Sequence, residues 1–336
     1  MDLELMRACL LETGQAVRTQ TIKSLKEKER DRLVAIAKEA KEDAIFGIDK
    51  DVEEPIIETL AKYADSLGGI LLIAEGISEN REPLAIPAGI DPETAVWQVI
   101  IDPIDGTRGL MYDKRSGFFL AGAAPNKGIE TRLSDILVSV MVELPTTRQY
   151  LTDSFSAIRS EGFQCFRENL ITNEKLNCPT MVSQEQTLIR GFAQIARYAP
   201  PGREILAAID DELLYRLYPE LADKKVLIFE DQYISTGGQM YEMLMGHDRF
   251  TADLRGRLGV YFKKKGLRPT FSSHPYDAAA FLIAEEAGCI LTNSYGEKHD
   301  TPLDLETPAD YILYANQTLY EHIWPVLKAI MEEKGL

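Results

Sequence analysis

The sequence predicts a mixed α/β fold, and three observations carry that prediction. Short apolar runs that read as buried strands, 70–76 and 96–102, stand after a stretch whose apolar residues recur at helical spacing: Val52, Ile56, Ile57, Leu60 and Tyr63. Residues 149–176 have the look of a β-meander, with Gly162 in one turn and Asn173-Glu174 in another. A second helix-and-strand alternation follows, with a helical pattern over 202–217 and a short strand over 226–230. At 336 residues the chain is long enough for a large core in one domain or two, and a shift of composition from Ser183 puts a boundary near 184, giving 1–184 and 185–336.

The elements follow in order. Leu3, Met6, Leu10, Leu11 and Val17 mark a first helix over 2–20, and 21–45 continue as a charged helical stretch from Lys23 to Ala44, interrupted at Gly47 and Asp49. The helix over 52–67 ends at Gly68-Gly69, and the acids at its start, Asp51, Glu53 and Glu54, suit the positive end of its dipole. Asp49 reads either as its cap or as a functional group. Strands resume at 118–124 and 135–143, and 187–192 is strand-like. Ser235 opens a glycine-rich helix start running to Leu244, and the tail, 311–314 then 317–334, reads as strand plus helix.

Composition narrows the function. A net charge of −16 argues against nonspecific nucleic-acid binding and against an anionic membrane surface. It leaves room for a phosphorylated substrate, because a bound cation inverts the local field. The four cysteines, Cys9, Cys165, Cys178 and Cys289, are dispersed without a C-x-x-C pair, and they read as reduced thiols of a cytoplasmic protein, without zinc or disulfides. No run reaches the roughly 18–20 apolar residues of a membrane-spanning helix, and the start of the chain lacks a signal-peptide pattern.

The chemistry concentrates at Val96–Thr107. Pro103 should stop the strand, delivering Asp102 and Asp105 at its end, with Gly106 and Thr107 amides placed to face a phosphate if a helix begins there. Two hard carboxylates on a tight turn suit Mg²⁺. A bare D-x-x-D is more often a plain turn. The full string Asp102-Pro103-Ile104-Asp105-Gly106-Thr107, however, resembles the signature of the inositol monophosphatase-like family of Mg²⁺-dependent, lithium-sensitive phosphatases, of which fructose-1,6-bisphosphatase is a relative.

Further positions extend the resemblance. Glu75 resembles the first glutamate of the family's Gly-Glu-Glu segment, with Gly76 departing from the second. Asp49 matches the aspartate before the family's second helix. Tyr276-Asp277-Ala278-Ala279 resembles the second signature, Trp-Asp-x-Ala, with Asp277 as the last metal aspartate at a helix start.

The resemblance implies a layered α-β-α-β-α sandwich, a homodimer and two or three Mg²⁺ ions. It implies metal ligands Glu75, Asp102, the Ile104 carbonyl, Asp105 and Asp277. Glu75 and Thr107 would orient the attacking water and Asp49 would fix the Thr107 hydroxyl. Asp105, Gly106, Thr107, Arg108, Gln239, Arg255 and Asp277 are the candidate substrate contacts, each with a plainer structural reading beside it. Thr270 stands where inositol phosphatases carry a substrate glutamate. The six positive residues over 255–268 are either a solvated face or a site for a second anion. Hydrolysis of an inositol or sugar phosphate is expected. A 3′-phosphoadenosine 5′-phosphate phosphatase, or a catalytically weak regulator that binds a metabolite, is the alternative.

Overall fold

A computed structural model describes residues 1–27, 30–39, 44–77, 82–178, 180–222, 227–269 and 271–336. Helix α1 (Leu3–Glu27) buries Met6, Cys9, Leu10 and Val17. The charged stretch continues that helix over 21–27 but not beyond. It then forms a single turn, α2 (Arg30–Leu33), and a two-stranded ribbon, β1 (Ile36–Glu39) with β2 (Ala44–Phe46). The reason is that 21–45 offers no sustained apolar stripe, so packing cannot hold all of it as a helix. The part of that expectation on 28–29 and 40–43 lies outside the described residues.

Helix α3 begins earlier than its apolar pattern does, at Gly47, and runs to Leu67. Gly68 ends it in the left-handed conformation, at φ +79°. A large sheet follows: β3 (Ile70–Ala74), β4 (Leu84–Ile86), β5 (Trp97–Asp105), then β6 (Gly117–Pro125), β7 (Val138–Leu144), β8 (Leu151–Ile158), β9 (Gly162–Asn169) and β10 (Glu174–Asn177). Between β5 and β6 lies a five-residue helix, α4 (Thr107–Met111). The spatial order is β10-β9-β8-β7-β6-β5-β3-β4, with β3 and β5 parallel and the other neighbours antiparallel.

The second sheet comprises β11 (Gly191–Ile195), β12 (Ile228–Phe229), β13 (Asp248–Asp253), β14 (Ile290–Thr292) and β15 (Tyr311–Tyr314), ordered β12-β11-β13-β15-β14. Its strand over 187–192 is thus shifted toward Ile195, and Val226 of the expected 226–230 strand lies outside the described residues. The helices are α5 (Arg203–Leu217), α6 (Thr236–Leu244), α7 (Arg255–Lys264), α8 (Phe281–Glu286) and α9 (Gln317–Glu333).

The layers follow from which face each strand residue buries. Trp97, Val99 and Ile101 of β5 join the core under α1 and α3, whereas Ile100 joins the core shared with the second sheet. Burial on both faces explains why the strand reads as a continuous apolar run. α6 and α8 pack between the sheets, and α5 and α9 cover the second sheet's outer side. The result is the five-layer α-β-α-β-α sandwich.

One expectation about the thiols fails. Cys165 and Cys178 are disulfide-bonded, while Cys9 and Cys289 are free and buried. Antiparallel pairing of β9 with β10 sets Asn177 opposite Phe166, which brings the two sulfurs together across the hairpin. Their separation of 13 residues gave no sign of this.

Candidate metal and phosphate site

β5 does not stop at Pro103. Its parallel partner β3 covers only Trp97–Ile101, and its pairing with β6 slips between Asp102 and Asp105. Pro103 sits in that irregularity, where no ladder bond is asked of its missing N–H. The slip turns Asp102 and Asp105 into one cavity of about 80 Å³. Its lining includes Asp49, Glu75, Asp102, Ile104, Asp105, Gly106, Thr107, Arg108, Arg255 and Asp277. Ten of the eleven residues singled out from the sequence therefore meet in one place.

The eleventh, Gln239, does not reach the cavity. It is buried in α6, where its amide donates to the Tyr233 carbonyl at 2.9 Å and accepts from the Thr251 and Tyr311 hydroxyls at 2.8 and 2.7 Å. Its polar atoms bridge α6 to the second sheet instead. Thr270 lies outside the described residues.

Asp102, Asp105 and Asp277 each offer a carboxylate oxygen within 4.8 Å of the others. Asp105 is held by the start of α6: Ser235 Oγ donates to it at 2.7 Å, and the Thr236 and Gly237 amides at 3.3 and 2.5 Å. Burial pushes its carboxyl up to about 6, against those donors and the nearby Arg255 charge. Asp102 accepts from the Ile104 amide at 3.0 Å. Burial first, then Glu75, Asp105, Asp277 and Asp49, drive its carboxyl well above the usual range. Asp277 is raised likewise by burial and by Asp105. It sits in a turn four residues before α8 rather than at a helix start, and it accepts from the His274 amide at 2.7 Å. Ser139 Oγ donates to the Ala279 carbonyl at 2.8 Å and ties that turn to β7.

The two readings of Asp49 coexist, one per oxygen. Oδ2 accepts from the Phe46 amide at 2.8 Å and caps α3, while Oδ1 accepts from Thr107 Oγ1 at 3.1 Å. Thr107 Oγ1 also lies 2.7 Å from the Ile104 carbonyl. One hydroxyl proton serves one acceptor at a time. Given to Asp49, it leaves the Ile104 carbonyl free.

The basic run divides. Arg255, only 1% exposed, faces the cavity, and its guanidinium is gripped by Asp253 at 2.9 and 2.5 Å. Arg257 is tied to the Ser294 and Leu336 carbonyls, and Lys263, Lys264 and Lys265 are exposed. Asp253, Tyr198 and Phe271 at or beside the cavity carried no motif. The only trace of Ser235 was its place at the glycine-rich helix start.

No family model and no curated sequence matches the chain. Solved structures do match, over nearly its whole length. Leishmania major fructose-1,6-bisphosphatase in holo form is 12% identical, with 96% of this chain and 94% of that one covered at a TM-score of 0.64. That fold is shared by two further solved structures. The Bartonella henselae extragenic suppressor protein SuhB is 17% identical, with 95% and 98% covered at a TM-score of 0.59. Thermotoga maritima IMPase is 15% identical, with 96% of each chain covered at a TM-score of 0.57. In this chain the acidic cavity opens where β5 ends. No helix among the described residues is long and apolar enough to cross a membrane.

Proposed function

We propose that the chain is a Mg²⁺-dependent phosphatase of a small phosphorylated metabolite, an inositol or sugar phosphate. The carrying observation is the cluster of buried Asp102 and Asp105 with half-buried Asp277, converging within 4.8 Å with Glu75 beside it in the same cavity. Buried carboxylates this close repel one another, and an all-oxygen donor set fits a hard divalent cation. Glu75, Asp102, Asp105, Asp277 and the Ile104 carbonyl would hold it, as two or three ions. Bound Mg²⁺ would acidify a water and neutralise phosphoryl oxygens.

The protein's own groups supply the orientation. Glu75 and the Thr107 hydroxyl position the attacking water, and Asp49 Oδ1 fixes that hydroxyl. The Gly106 and Thr107 amides and Arg108 face the phosphate, and Arg255 faces the rest of the substrate. Water adds to phosphorus, the ester P–O bond breaks, and the leaving oxygen takes a proton as the alcohol departs.

Lithium sensitivity and a homodimer rest on the resemblance and belong to the same proposal, as do the domain boundary near 184, read from composition, and a cytoplasmic location, read from the cysteines and the start of the chain. The disulfide removes the cysteine argument for the last location. The test is phosphate release from inositol phosphates, sugar mono- and bisphosphates and 3′-phosphoadenosine 5′-phosphate, with Mg²⁺, with chelator and with lithium. Mg²⁺-dependent release is expected. Binding of these compounds without release would instead identify a metabolite-binding regulator.

A further inference from the structure

A second cavity, of about 770 Å³, opens near the start of β5, at the other end from Asp102 and Asp105. Among the described residues it shares no lining side chain with the acidic one. Its lining includes Leu71 and Ile73 of β3, Gln98 of β5, and Pro92, Leu303 and Leu305 from connecting segments. Sites for small molecules span roughly 300–1,000 Å³, so the space suits one.

The chain itself holds the walls. Asn126 donates to the Pro92 and Ala95 carbonyls at 2.9 and 2.8 Å and accepts from the Gly128 amide at 2.9 Å. The Leu303 amide donates to the Thr131 carbonyl at 3.0 Å, and the Leu133 amide to the Thr301 carbonyl at 2.9 Å. The segment carrying Leu303 and Leu305 is thereby tied to the chain that follows β6.

Gln98 is the anomaly. It is 4% exposed, in a strand otherwise apolar from Trp97 to Ile101. Its neighbours by register are Leu71 on β3 and Ala124 on β6, whose side chains offer no hydrogen bond. Its Oε1 is buried and has no hydrogen-bond partner, on a residue that lines the cavity. An unmet buried acceptor is destabilising, and an apolar side chain would serve the strand without that cost.

The lining also selects for charge. Among the described residues its one cation is Lys127, whose Nζ lies 2.6 Å from Asp135, whereas Glu93 and Asp304 both contribute carboxylates. An anionic ligand meets repulsion here. A side-chain amide carries a donor and an acceptor side by side, and its complement is another amide edge, N–H beside C=O.

We infer that this cavity binds a neutral, largely apolar small molecule bearing such an edge, a lactam or cyclic imide, and that Gln98 Oε1 accepts the ligand's N–H. Because the two cavities have no described residue in common, this site stands or falls apart from the phosphatase reading.

The probe is ε-caprolactam, whose ring holds N–H and C=O on one edge. It is titrated into the full-length protein and followed by ligand-observed NMR. N-methyl-ε-caprolactam, which lacks only the N–H, and hexanoate, which replaces the amide with a charge, are the controls. Caprolactam should bind saturably and about tenfold or more tightly than the N-methyl compound, and hexanoate should not bind. Gln98→Met keeps the side chain's length and removes the amide, so it should bind the two lactams equally. Leu305→Trp, at a half-buried position of the lining, should fill the cavity and lose both.

Equal affinity of the unaltered protein for the two lactams, or no saturable binding of caprolactam, would overturn the inference. So would tighter binding of hexanoate, or a preference for the N–H that survives in Gln98→Met. Melting curves establish that the variants are folded, and the comparison of the two lactams on the unaltered protein needs neither variant.

Discussion

The two walls of the cavity treat identical side chains differently. Asp105 leans on the second sheet's half, where the start of α6 gives it a hydroxyl and two amides. Asp102, three residues earlier, receives the Ile104 amide and otherwise faces Glu75, Asp105, Asp277 and Asp49. One carboxylate is solvated by the protein, and the other is left for something positive to solvate. The difference teaches that the cluster is asymmetric: Asp102 is where a cation is most needed, and Asp105 is where the site is kept in register.

Replacing each aspartate in turn tests this contrast most severely. Asp102→Asn should lower Mg²⁺-dependent phosphate release by at least about 10²-fold. In chelator it should melt higher than the parent, because the desolvation and carboxylate repulsion that raise the Asp102 carboxyl are gone. Asp105→Asn should also impair turnover, yet it should melt lower, since its three donors lose their ionised acceptor at roughly 1–3 kcal/mol. Scanning calorimetry of both proteins without metal decides the matter, and the reverse order of melting temperatures would break the comparison.

Gly237→Ala comes next. A Cβ there would stand 2.9 Å from Asp105 Oδ2 and 2.8 Å from Leu120 Cδ2. It should drive α6 off the carboxylate at a cost of about 1–3 kcal/mol, and we expect turnover to fall more steeply than stability. Parallel assays of kcat/KM and melting temperature will show whether the two separate.

The pH dependence of stability is a gentler probe. The folded chain holds the Asp105 proton up to about pH 6, against an ordinary 3.8. Folding therefore binds protons between those values, and this group's contribution to metal-free stability is lost as pH rises through about 6. Mg²⁺ should raise the melting temperature increasingly over the same interval. A Mg²⁺ effect independent of pH from about 4 to 7 would contradict the assignment.

Ser235→Ala should be the mildest change. It removes one donor to Asp105 and the cap that accepts from Gly238 at 2.8 Å, together costing about 1–2 kcal/mol in a thermal melt.

Much of this was legible in the sequence because it is local. Helical spacing in 202–217, the meander over 149–176, and the two signature strings each concern neighbours along the chain. The failures share the opposite cause. Gln239 was named from its place at a helix start, but its partners Thr251 and Tyr311 lie on strands of the second sheet. Arg255 and Arg257, two residues apart, looked like equal members of a basic run until the fold buried one at the cavity and tied the other to Ser294 and Leu336. Cys165 met Cys178 through hairpin register. The charged stretch was helical as far as Glu27 and misread beyond it, because helix propensity without an apolar face does not decide structure. Pro103 did not end β5 because the strand had already outrun β3 there.

The bond from Ser235 to Asp105 spans 130 residues. On a chain synthesised from its N-terminus, Asp102 and Asp105 exist well before the hydroxyl and amides that hold one of them. The nascent first sheet thus carries adjacent acids with no donor from the second half, and their mutual repulsion opposes early closure of the loop. Docking of α6 removes part of that opposition at a single stroke. The pocket is complete only when both sheets have found each other, because its walls come from both.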